Sequence, residues 1–439
     1  MRKCITAMML CVASIGWTQP KILSLDECVQ IALDKNPQIV QSRFFLKSAN
    51  RDVLIGVSRF LPSADASLGY NHSVAGPSSA LRIDTRTGIP VLERDTEISS
   101  WASSAGLNVN QSLFSGSDIF NLMRGLDIKR SAQYDFERMK QDIIFRVKER
   151  YYNLLKAQKL LEVQEETIKS SEESYKRAQV QYEVGKASKS DELKAKVLLE
   201  QSRLALIEAQ NSLSVAGALL NHVLSFDVNT EIQVMDNPDS SDVKLSYEEA
   251  FANSMKNHPL VLKGRMDAKA SKAGIGVAAS DFLPTVSAYY GYSWRNEKFD
   301  RIKDALNQDY NWYTGVQLSV PLFTGFSRIA AVSKARLDYQ SAKEVLLQTE
   351  KDVALELQQA YFAFEQSKKK ITVTQDAEAA AAEDLRLNME KYSLGSGTML
   401  DLINAQVSYT TARSDRVQAL YDQKINAARL LKAMGKLER

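Results

Sequence analysis

The residues best placed to do chemistry come as a matched pair. Tyr182-Glu183-Val184-Gly185 is followed by Asp191, and Tyr392-Ser393-Leu394-Gly395 is followed at the same spacing by Asp401. In each case the glycine suits the close of one helix, Ser188 or Thr398 the N-cap of the next, and the aspartate its first turn. A first-turn carboxylate is favoured by the helix dipole with no further role, so that reading of Asp191 stays open beside a functional one. Nothing around the pair points to bond-making. No Ser-His-Asp set, nucleotide loop, metal cluster or localised pair of carboxylates occurs in a recognisable context, which argues against an enzyme and against a cofactor. His72, His222 and His258 are scattered singly and read as surface or packed histidines rather than metal ligands. Cys4 and Cys11 lie in the leader, and Cys28 alone offers neither an intrachain disulfide nor a zinc site. With 56 basic against 53 acidic residues in 439, no bulk attraction to nucleic acid is expected.

The pair belongs to a repeat that runs the length of the chain. Leu23-Ser24-Leu25-Asp26-Glu27 returns as Leu245-Ser246-Tyr247-Glu248-Glu249, Phe60-Leu61-Pro62 as Phe282-Leu283-Pro284, and Leu113-Phe114-Ser115-Gly116 as Leu322-Phe323-Thr324-Gly325. Such a repeat is one structural half used twice: residues 19–225 and 246–439, joined by a polar link at 226–245. The offset drops from 222 to 209 between these landmarks, so the first half carries thirteen extra residues (222 minus 209), read as a longer outer loop.

Each half is expected to run helix, strand, long loop, strand, very long helix, turn, helix. After a helical stretch broken at Asn36-Pro37, the periodicity changes from helical to alternating. Strands are expected near 62–73, 101–114, 284–295 and 311–323. Apolar Ala64, Ala66, Leu68 and Tyr70 interleave with Asp65, Ser67, Gly69 and Asn71, and the other three runs repeat the pattern with a second face of Ser, Gly, Asn and Gln. Runs of about ten residues match strands that cross an outer membrane at a tilt. Tyr70, Trp101, Tyr292, Trp294 and Trp312 lie near strand ends, where interfacial aromatics sit. A soluble sandwich with one wet face would alternate in the same way.

The remaining length reads as helix, near 117–182, 188–224, 326–392 and 398–434. The first of these is a rod of roughly 100 Å at about 1.5 Å per residue. Val147, Leu154, Leu161, Ile168, Tyr175 and Tyr182 recur every seven residues, as do Leu357, Phe364, Ile371, Leu385 and Tyr392, with Glu378 interrupting. Glu378 is expected to lean out to water. Sustained sevens mark helices that supercoil against neighbours, and small residues beside them allow a closely packed helical wall. A free-standing coiled-coil scaffold would explain the sevens but not the strands.

At the N-terminus, Arg2-Lys3, an apolar stretch from Ile5 to Gly16 and small residues near the cleavage site make residues 1–18 an expected export signal. No other segment has the roughly 18 apolar residues of a membrane helix. Four membrane strands cannot close a barrel, because open edges in lipid leave backbone groups unpaired at several kcal/mol each. More than one chain is therefore expected to share a barrel, with the rods projecting into the periplasm.

These motifs together resemble the TolC-like outer-membrane factors, over essentially the whole mature chain. The resemblance rests on the two Phe-Leu-Pro turns, the Leu-Phe-Ser/Thr-Gly turns and the two Tyr-x-x-Gly tips with their aspartates. It implies an α+β membrane protein: a homotrimer with a twelve-stranded β-barrel in the lipid of a Gram-negative outer membrane, continued by a periplasmic tunnel of twelve helices. It also implies an exit duct for efflux or type I secretion, docked to a periplasmic adaptor and an inner-membrane transporter of the RND or ABC type. Gly185, Lys186, Gly395 and Ser396 then fall at adaptor-docking tips. Asp191 and Asp401 would give two carboxylate rings suited to attracting cations, and Tyr392 matches a tyrosine of the closed constriction. Two positions depart from the family prototype: Gly397 stands for an arginine, and Asn404 for a second aspartate, so part of that prototype's latch is absent. The alternative is a periplasmic coiled-coil adaptor or scaffold without a barrel.

Overall fold

Capping residues start the two halves alike. Ser24 accepts the backbone N–H of Glu27 while the Glu27 carboxylate accepts that of Ser24, and Ser246 with Glu249 repeats the arrangement. Each box opens an eleven-residue helix, α1 (Leu25–Lys35) and α5 (Tyr247–Asn257). In the computed structural model, residues 21–77, 79–94, 97–236, 246–297 and 299–437 are described. The expected export signal and residues 237–245 of the link lie outside them.

In chain order the described elements are β1 (Lys21–Leu23), α1, α2 (Pro37–Ser58), β2 (Ser63–Ala75), β3 (Ser79–Ile83), β4 (Pro90–Arg94), β5 (Ile98–Phe114), α3 (Gly116–Glu183) and α4 (Lys189–Leu224). They continue with β6 (Ile232–Val234), α5, α6 (Pro259–Ser280), β7 (Thr285–Asn296), a short 3-10 helix (Phe299–Leu306), β8 (Tyr310–Ser319), α7 (Ser327–Ser393) and α8 (Met399–Ala433). Contacts divide the chain into two units, each built from both halves of the repeat.

The first unit comprises Met1–Phe44, Tyr134–Leu262 and Gln348–Arg439. One apolar core gathers Cys28, Val29, Ile143, Tyr151, Leu220 and Tyr421, and a second gathers Leu357, Phe364, Leu430 and Met434. β1 and β6 pair in parallel. The Tyr151 hydroxyl ties the two together, donating to the carbonyls of Met235 at 2.6 Å and of Leu23 at 3.2 Å. Glu378 departs from expectation: its carboxylate receives Arg416 of α8 at 2.5 Å, and the side chain is only 16% exposed. The break in the spacing of sevens is an ion pair between helices rather than a side chain left to water.

The second unit comprises Phe45–Gln133 and Lys263–Leu347. Its sheet runs β2-β5-β7-β8, antiparallel throughout. The register carries Ala66, Leu107, Tyr292 and Trp312 across one face, and Ser67, Gly106, Ser293 and Asn311 across the other. β8 ends at Ser319, short of the expected 323, because Pro321 has no N–H to continue the ladder. β5 bulges between Ser112 and Phe114, which moves Phe114, instead of Leu113, opposite Val286. The thirteen extra residues coincide with a separate hairpin, β3 with β4, turned by Asp84 and Gly88.

Candidate functional site

The two matched aspartates sit in tips that are close copies. At the first, Gly185 takes φ 75°, and the N–H groups of Lys186 and Ala187 return to the carbonyl of Gln181. At the second, Gly395 takes φ 78°, and Ser396 and Gly397 return to Lys391. A left-handed residue is what such a helix ending needs, and glycine adopts it without a Cβ clash. Lys186 and Ser396 are exposed at the two turns.

Both aspartates are committed to capping. Ser188 donates its hydroxyl to Asp191 at 2.7 Å and accepts the Asp191 N–H at 3.2 Å. Thr398 treats Asp401 the same way, at 2.6 and 3.1 Å. The Ser188 hydroxyl holds the Asp191 carboxyl below its ordinary range despite some burial, with Lys194 at 3.7 Å in support. The Thr398 hydroxyl and N–H lower that of Asp401, and Lys391 adds to them. Each carboxylate therefore stays charged further into acid than a free one.

The tips of the two hairpins share a core of Ala178, Ala195, Met399 and Leu402, with Tyr175, Leu385 and Tyr392 packed against it. The Tyr392 hydroxyl is buried without a hydrogen-bond partner. Burial first, and then the negative charge of Asp191, raise its pKa. A Cβ on Gly397 would lie 3.0 Å from Cβ of Lys391 and 3.1 Å from the backbone N of Tyr392, so this turn is built for glycine. Asn404 is exposed one turn beyond Asp401.

Behind the tips lies a polar seam that sequence reasoning missed. Ser171 of α3 meets Ser202 of α4 at 2.9 Å, and Gln406 of α8 donates to Ser171 at 3.1 Å, all buried. Thr167 meets Thr410 at 3.3 Å, and Arg413 pairs with Glu166. Ser171 and Ser202 belong to the small residues that accompany the spacing of sevens, and residue type alone carries no sign of which helix each faces.

On the sheet, the aromatics fall on the apolar face as expected. Trp101 stacks between Tyr70 at 5.2 Å and His72 at 3.9 Å, Tyr292 stacks on Tyr310 at 5.6 Å, and Trp312 is exposed. Trp294 differs from an exposed interface aromatic, being 1% exposed with its indole N–H unpaired. The short helix Phe299–Leu306 packs against β5 and β7, where Trp294 and Ser103 are buried. The other face is less uniformly small than the residue types implied, for Tyr289 and Tyr313 stand on it.

A family model described as outer membrane efflux protein matches residues 28–224 and 252–436. The outer membrane protein TolC of Vibrio cholerae is 22% identical over 99% of this chain and 94% of its own length. Among solved structures, a membrane protein from Pseudomonas aeruginosa superposes with TM-score 0.82 at 18% identity, covering 94% of this chain and 91% of its own. The CmeC outer membrane channel of Campylobacter jejuni gives 0.79 at 18% identity, covering 100% and 93%. The two solved structures thus share the overall fold of this chain.

Proposed function

The chain belongs to the outer membrane efflux protein family, and from that premise we propose that three copies assemble one outer-membrane exit duct. The observation that carries this reading is the four-stranded sheet, with β2 and β8 unpaired at its edges among the described residues. One face is apolar and solvent-exposed, as at Leu68, Trp312 and Val316, and the other is largely polar. In lipid each unpaired edge group costs several kcal/mol. Three sheets joined edge to edge remove the penalty and give twelve strands. Exposed apolar stripes at Val197, Leu204 and Ile207 of α4, and at Leu355, Phe362 and Val373 of α7, offer surfaces on which the helices of neighbouring copies pack into a tunnel.

Asp191 and Asp401 then form two rings of three carboxylates, with Tyr392 and Asn404 beside them at the constriction. Gly185, Lys186, Gly395 and Ser396 meet a periplasmic adaptor, which links the duct to an inner-membrane RND or ABC-type transporter. Tyr70, Trp101, Tyr292 and Trp312 anchor the barrel in the lipid interface. The duct conducts passively, and its largely uncharged polar lining suits a general aqueous passage. Fractionation and electrophysiology test this together. Detergent extraction from outer membranes should give a heat-modifiable trimer that conducts ions in planar bilayers. Recovery as a soluble periplasmic monomer without detergent would reject the duct and favour a coiled-coil scaffold.

A further inference from the structure

Tyr289 and Tyr313 are placed in a way that the rest of the polar face is not. Tyr289 lies directly opposite Gly315 and Tyr313 directly opposite Gly291, in adjacent strands. A Cβ on Gly315 would stand 2.6 Å from Oη of Tyr289, and one on Gly291 would fall inside the Tyr313 ring's contact distance. Each ring thus lies across a glycine of the neighbouring strand, on the polar face of the sheet. The ring centroids are 5.9 Å apart with planes inclined at 58°, and Tyr313 is 49% exposed.

A carboxylate stands on the same cross-strand row as Tyr313. Asp65 pairs with Asn108, Asn108 with Gly291, and Gly291 with Tyr313, so one cross-strand row runs from Asp65 to Tyr313. Three strand spacings separate them, about 14 Å around the wall. The adjoining rows on this face are uncharged: Ser63 and Asn110 on one side, Ser67, Ser293 and Asn311 on the other. Arg295 stands two rows from Gly291 along β7.

We propose that Tyr289, Tyr313 and Asp65 form a binding belt in the duct for planar aromatic cations. The accessible parts of the two rings supply stacking and cation–π attraction, and Asp65 supplies the countercharge. Three chains place six rings and three carboxylates around one passage. The inference rests on the duct reading, because it requires the polar face to line water. If the rings serve only to cover the glycines, no ligand preference follows.

Single-channel recording with the full-length trimer separates these outcomes, using ethidium as the planar aromatic cation and tetrapropylammonium as a cation without a ring. Ethidium should block the wild-type channel. Combined Tyr289→Ser and Tyr313→Ser should weaken that block by roughly tenfold, the scale of one or two lost stacking contacts, while leaving the response to tetrapropylammonium unchanged. Asp65→Asn should weaken both cations alike. Gly291→Ala keeps both phenols but dislodges Tyr313, and should weaken ethidium selectively. Heat-modifiable migration and conductance in potassium chloride confirm assembly of each variant; if the double variant does not assemble, Tyr313→Leu alone decides by the same comparison. Full ethidium block in the tyrosine variants, or equal loss for both cations, overturns the belt. A wild-type protein that forms no channel overturns the duct reading as well.

Discussion

At the scale of single residues, substitution can pull apart the capping role of Asp191 and Asp401 and the cation-selecting role proposed for them. Asp401→Asn keeps an oxygen that can accept from Thr398 but removes the charge, so it should lower cation selectivity in planar bilayers, while the protein's thermal midpoint falls only by the small amount a first-turn charge supplies. Ser188→Ala does the reverse at the first tip. It removes the hydroxyl that caps α4 and should cost about 1 kcal/mol of stability with selectivity retained. If Asp401→Asn leaves selectivity intact, the carboxylates are helix caps alone. The pH dependence has a defined sign. Both carboxyls have lowered folded-state pKa values, so their stabilisation is fully present above the unfolded aspartate value and is lost as pH falls through the folded one. These aspartates were legible from sequence because glycine, hydroxyl and carboxylate recur at fixed spacing. Tyr289 was not, because residue type gave no hint that a large ring lies on the polar face across a glycine of the next strand.

Between residues and the whole chain, duplication supplies internal controls. Asn36 and His258 close the equivalent helices α1 and α5. Oδ1 of Asn36 accepts the N–H of Gln38 at 2.9 Å, and Nδ1 of His258 accepts that of Leu260 at 3.3 Å. Burial first, and then the charge of Lys432, push the His258 pKa down to about 4, with Asp142 opposing. The native state therefore refuses a proton that the unfolded chain accepts near 6.5. Stability should be level above that value, decline as pH falls toward about 4, and lose about 3 kcal/mol in all. His258→Asn, borrowing the solution of the other half, should remove that part of the slope. Thermal midpoints in detergent at pH 7 and pH 4.5 decide; an unchanged difference would put the acid sensitivity elsewhere. The helices themselves were readable because a period of seven survives for many turns. Glu378 was misread because an interruption on one helix looks solvated until its partner helix presents Arg416. The end of β8 was overrun because alternation continues through Val320, whereas pairing stops before Pro321.

For the whole molecule, the decisive question is which face of the sheet meets lipid, and adjacent positions on β8 answer it. Val316 pairs with Ala288 on the apolar face, and Gln317 pairs with Ser287 on the polar one. These neighbours share a strand and a depth, so they differ only in what lies outside them. Arginine at position 316 must enter hydrocarbon and should cost about 2–4 kcal/mol if the site is near the bilayer midplane. Arginine at 317 would remain hydrated and act on the passage. Val316→Arg should accordingly reduce recovery of heat-modifiable trimer from outer membranes, whereas Gln317→Arg should assemble normally and shift selectivity toward anions. The duplicated tips sharpen this comparison, because Asp191 and Asp401 are retained in both variants and any selectivity change must arise at the sheet. Equal tolerance of both arginines would mean that neither face meets lipid or a packed core, and would reject the barrel. Normal assembly of the 316 variant with loss of the 317 variant would invert the barrel's faces and remove the proposed aromatic belt from the conducting path.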